Sequence, residues 1–121
     1  MATVNYTSVP STSHGDNYRV VTWTPLTNTN VDGQPFQMPT FSDRTVHVLG
    51  TFGGATLTFQ GSNDGANWLT LVDPQGNALT WTTSDRLETC LDSPLHVRPL
   101  LSGGAGSSLT VIMVAKKQGR V

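Results

Sequence analysis

The chain has 121 residues, seven Lys+Arg against eight Asp+Glu, a formal charge of -1 and a single cysteine. One domain of this length buries roughly two-thirds of its unfolded surface without a staple, and one cysteine excludes an intramolecular disulfide framework. Only 12% of the residues are charged, with Thr, Ser, Asn and Gly in their place, which favours strands and turns over helix and argues against a nucleic-acid-binding or basic membrane-surface protein.

Residues 1–17 are mostly Thr, Ser, Asn, Pro and Gly; they cannot build a core alone and read as an arm or an edge segment. Met1 to Tyr6 has no basic n-region and no apolar h-region, so no secretory leader is predicted. Tyr18 to Thr24 is rich in β-branched and aromatic residues and predicts a strand that stops at Pro25. Leu26 to Phe41, with Asn28, Asn30, Gly33, Pro35 and Pro39, reads as a long connection that is functional or lies against something.

Thr45 to Phe52 and Ala55 to Gln60 are two extended runs around Gly53-Gly54, which predicts a β-hairpin with both glycines at positive φ. Gly61 to Asn67 is a turn. Trp68 to Val72 and Ala78 to Thr82 are short strands around the turn Asp73-Pro74-Gln75-Gly76, with Leu79 and Trp81 on one face. Thr83 to Asp92 has the one helical flavour, because Asp85 and Glu88 stand at capping-box spacing.

Leu95 to Leu101 is extended, and Pro99 places it at an edge or a bulge. Ser102 to Ser107 is a glycine-rich loop. Leu109 to Ala115 is apolar on both faces and reads as a central, buried strand, too short for the ~20 residues that span a bilayer. Lys116, Lys117 and Arg120 end the chain as a basic tail.

The fold class that follows is all-β: an antiparallel β-sandwich or jelly roll of about seven to eight short strands with at most one helical turn. Its divisions are an arm (1–17), one sandwich domain (18–115) and a tail (116–121). The expected core is Val46, Val48, Phe52, Leu57, Phe59, Leu69, Leu71, Leu79, Trp81, Val97, Val111 and Met113.

No residue set predicts catalysis, a cofactor or a metal. His14 stands in the polar arm, and His47 and His96 stand on strands opposite the apolar set. None of the three is spaced from another ligand type as zinc sites require. Cys90 has no histidine nearby and reads as a small buried hydrophobe. Asn63, Asp64 and Asn67 could ligate calcium, but Asn, Asp and Gly in a run are turn chemistry. Trp23, Trp68 and Trp81 could form a stacking platform, though tryptophans on strands usually serve the core. A charge-poor, Thr-rich surface suits packing on other proteins.

The stretch VHVLGTFGGATLTFQGSNDGANWLTL, from Val46 to Leu71, together with the later DPQGNALTW and LHVRPLLSGGAGSSLTVIMVAKK, resembles small virion proteins of tailed bacteriophages. The resemblance implies a head decoration or cement protein on the capsid exterior, made in the bacterial host cytoplasm. Its partners would be the major capsid protein and further copies of itself as a dimer or trimer, with no nucleic acid and no membrane. The arm lies outside this match, so the contact site is not carried over from it; the polar arm and basic tail themselves make Tyr6, Val9, Lys116, Lys117 and Arg120 the expected contact residues. Gly61 to Trp68 also resembles a stretch in discoidin-like carbohydrate- and lipid-binding sandwiches. The alternative it implies is a tail or baseplate adsorption module, or another carbohydrate-binding sandwich.

Overall fold

The structure, a computed structural model, describes residues 3–10, 18–37, 43–83, 87–91 and 94–116. Among the described residues nine strands run in chain order: β1 (Tyr6–Pro10), β2 (Tyr18–Thr27), β3 (Asp43–Thr51), β4 (Ala55–Ser62), β5 (Leu69–Thr70), β6 (Thr80–Trp81), β7 (Leu87–Cys90), β8 (His96–Gly103) and β9 (Ser108–Lys116). A five-stranded antiparallel sheet has the order β1-β2-β9-β3-β7. In a second, smaller sheet β4 pairs with β8 along one side and with β5 and β6 along the other. Side chains of both sheets share one core, in which Trp23, Phe36, Leu57, Phe59, Trp81 and Met113 are fully buried. The fold is the all-β antiparallel sandwich that the alternation predicts.

Strand faces follow the expected parity. Leu57 and Phe59 on β4, and Leu79 and Trp81 around β6, are buried. Every residue expected in the core is buried except Leu69, which is 76% exposed. Leu69 pairs with Gly61 and shares a face with Leu71, but it sits at the rim where the core has run out. The turn at Asp73 forms as predicted: the Gly76 N–H donates to Asp73 O, and Asp73 Oδ1 accepts from the N–H groups of Gln75 and Asn77.

Gly53 and Gly54 both take positive φ, 59° and 84°, and the Ala55 N–H closes the turn on Phe52 O at 2.9 Å. The hairpin itself is a correction. β3 pairs with β9 and β7, whereas β4 lies in the other sheet. The tight turn is a corner between sheets. Splitting the two strands lets their apolar faces, Val46 and Val48 on one and Leu57 and Phe59 on the other, meet across the core. The corner docks on the β8–β9 turn instead: the Ala105 N–H donates to Gly53 O at 3.0 Å, and buried Ser107 donates from Oγ to Phe52 O at 2.6 Å.

Two further expectations are corrected, and one open alternative is resolved. The second strand does not stop at Pro25; β2 continues to Thr27, with Pro25 in an irregularity between Trp23 and Leu26 where no ladder donor is needed. Within Thr83 to Asp92 the described residues 87–90 form a strand rather than a helical turn, because β7 pairs with the edge of β3 from Arg44↔Cys90 to His47↔Leu87. Long-range pairing here outweighs a local cap, and Asp85 lies outside the described residues. Of the two readings of the N-terminal segment, the described part takes the edge: β1 pairs with β2 over five residues, and Val4 is buried.

The long connection does lie against something. Its Phe36 exchanges both backbone hydrogen bonds with Val97 of β8, and Gln34 donates its N–H to Val4 O. This segment thereby covers the edge that Pro99 marks on β8 and closes the sandwich between β8 and the start of β1. Cys90 is buried, as expected.

Candidate interaction surface

Alternation gives each sheet one face toward the core and one away from it, so the outer faces hold whatever the protein shows to partners. In the five-stranded sheet the paired rows are Val20↔Val114↔Thr45↔Thr89 and Thr22↔Ile112↔His47↔Leu87. Val20, Thr22, Ile112, Val114, Thr45 and His47 are half-buried, and nothing of the described chain lies over them. Toward β7 the face continues into Leu87, 62% exposed, and at the far end of β3 into Leu49, 43% exposed. Its charged side chains, among the described residues, are Asp43 and Lys116, paired in register at one end.

β9 explains how this face arises. Leu109, Val111, Met113 and Ala115 enter the core, while Ile112 and Val114 point the other way. Apolar residues on both faces predict burial on both. The strand is central, as expected, yet the described residues cover one side only.

The smaller sheet differs. On its outer face the Arg98 guanidinium lies 4.1 Å above the Trp68 ring, Arg98 Nε donates to Gln60 Oε1 at 3.1 Å, and the His96 ring stands 6.3 Å from Trp68. Burial pushes the Arg98 pKa below its ordinary value, with Asp32 opposing that shift. This face has its own cover of stacked side chains. At its rim a cleft of ≈ 310 Å³ is lined by Ser62, Asn63, Asn67, Leu69, Leu71 and Pro94, among others. Trp23 and Trp81 belong to the core, so no three-tryptophan platform exists.

Of the contact residues expected from sequence, Tyr6 packs edge-on against Trp23 and Phe36 and serves the fold. The Val9 backbone pairs with Val20 at the sheet edge. Lys116 is exposed at the end of β9; Lys117 and Arg120, like His14, lie outside the described residues. The patch carried by Ile112, Val114, Leu49 and Leu87 is not among the residues expected from sequence. Its signal was present in the two-faced β9 segment.

The Asn63–Asn67 turn is held from within. Asp64 accepts hydrogen bonds from the N–H groups of Ala66 and Asn67, from Asn67 Nδ2 and from Ser62 Oγ. These donors, the Asn67 N–H first, hold its carboxyl well below the usual carboxylate range. A depressed folded pKa contributes stability above the unfolded value of about 3.9 that is lost as pH falls through the folded value. Thermal melts of Asp64→Asn should therefore be flatter than those of the parent below about pH 4; parallel profiles would remove this role. Among the described residues no group of three His, Cys, Asp or Glu could hold a metal ion.

No protein-family model and no curated protein matches the chain.

Proposed function

We propose that this chain is a decoration protein of a tailed-bacteriophage head, binding the major capsid protein lattice on the shell exterior and stabilising it. The observation that carries the reading is the open face of the five-stranded sheet. A charge-poor sheet surface on which Val20, Ile112, Val114 and Leu87 stand among Thr22, Thr45, Thr89 and His47 suits a protein that works inside an assembly. The likeness of Val46 to Leu71 to small phage virion proteins supplies the assembly. A shell that expands and then holds packaged DNA gains from added contact area, and repeated weak contacts sum to strong avidity. A rigid β body suits that role and needs no catalysis.

The test is decoration of purified empty shells, followed by heating. Added chain should co-sediment with shells and raise their disruption temperature, and Lys116→Ala/Lys117→Ala should weaken binding most at low salt. No co-sedimentation at any salt would sink the reading. The rim cleft lined by Ser62, Asn63, Asn67 and Leu69 favours a second reading, a tail adsorption or carbohydrate-binding module; glycan-array binding by the isolated chain would support that one instead.

A further inference from the structure

We propose that the open face of the five-stranded sheet is covered by the same face of a second copy, giving a two-fold, face-to-face dimer. The inference rests on reading this face as an assembly surface and names its occupant; it does not depend on what shell the dimer decorates.

Shape argues first. The half-buried residues of the face, Val20, Thr22, Thr45, Ile112 and Val114, are β-branched side chains on paired strands and form a pleated surface. Such a surface is matched by another twisted sheet about 10 Å away, and a second copy brings the same twist. Area argues next. Five strands spaced by ~4.8 Å, the longest of nine or ten residues at ~3.3 Å each, present roughly 600 Å². A pair then buries roughly 1,200 Å², inside the range of stable specific interfaces.

Charge permits self-association. Asp43 and Lys116 stand side by side at one end of the face, so two copies meet without a net like-charge patch. In an isologous contact one set of side chains is buried twice, which makes a single charge-poor face sufficient.

The other route, strand addition at a sheet edge, is blunted on both sides. At the β1 edge Gln34 Oε1 accepts from the Tyr6 N–H at 3.2 Å, and Pro10 has no N–H to offer. The opposite edge, β7, is four residues long. Copies therefore meet by faces and not by edges.

The experiment is sedimentation velocity on the full chain over a concentration series, with Ile112→Asp as the face variant and Leu69→Asp as the control. Leu69 is as exposed as any leucine of the face but belongs to the other sheet's rim. The parent and Leu69→Asp should sediment as dimers at micromolar concentration. Ile112→Asp should shift the midpoint toward monomer at least tenfold with an unchanged circular dichroism spectrum. If Ile112→Asp does not fold, Leu49→Ser/Leu87→Ser, at exposed positions of the same face, should give the same shift. A parent that stays monomeric to about 100 µM overturns the inference, and so do face variants as dimeric as the parent. Shell binding separates the two readings. A monomer that decorates shells leaves the decoration reading standing without the dimer, whereas a face-dependent dimer that ignores shells does the reverse.

Discussion

Trp23→Ala is expected to cost about 3–5 kcal/mol of folding stability, measured by equilibrium denaturation in urea. Trp23 is fully buried, and its ring joins four parts of the chain. It meets Tyr6 of β1 edge-on at 5.9 Å and Phe59 of β4 at 6.3 Å, and its Nε1 donates to Gln34 O at 2.9 Å. Truncation removes the largest apolar side chain from the centre of β2 and leaves a cavity that these rigid neighbours cannot fill. It also takes the donor from the carbonyl that orients the connection. Trp23→Phe keeps much of the volume and loses the hydrogen bond, so it should fall clearly short of the alanine variant. Since a domain of this kind holds about 5–15 kcal/mol in all, Trp23→Ala should stand near the limit of folding. A loss under about 1 kcal/mol would mean that the two sheets do not share this core.

The second large effect is expected at the corner between the sheets. Gly53→Val should destabilise by roughly 3 kcal/mol, because two penalties act at once. Its φ of 59° resists a β-branched side chain. A Cβ there would also stand 2.2 Å from Ala105 O, a backbone atom of the turn that docks on the corner. Gly54→Ala separates the two penalties: its φ is 84°, but a Cβ would meet nothing within 4 Å. It should cost only about 1–2 kcal/mol, the conformational part alone. Equal losses at the two positions would show that docking on Ala105 contributes nothing.

The comparison of these two glycines shows where sequence reading succeeds and where it stops. Gly-Gly between two extended runs reports a tight turn at positive φ, since that is a local property of two residues. It does not report whether the flanking strands pair with each other. That depends on whether β9, some 60 residues later, competes for β3, and nothing local records it. The same limit applies to Glu88, read in a helical cap and found in a strand on the edge of β3. Phe36 illustrates the converse. Set among Gly33, Pro35 and Pro39, it gave no periodic signal, yet its segment is fastened to β8 and it enters the core.

For the interaction surface, the residues were legible and their meaning was not. Ile112 and Val114 stood out in a segment apolar on both faces. Alternation says which side chains share a face, but what covers a face is a property of the whole chain and of its partners. Among the described residues nothing covers this one. Leu69 fails for a related reason: its face was right, but the rim of the sandwich falls just short of it.

The proposed role is tested most directly by the copy number of this chain relative to the major capsid protein in purified virions that carry it, read by quantitative mass spectrometry. A decoration protein that adds contacts across the whole lattice must be present in numbers comparable with the capsid protein itself. A ratio near one copy per capsid protein, or a simple fraction such as one half or one third, is the predicted result. About a dozen copies or fewer per virion would place the chain at a vertex or in the tail and contradict the account.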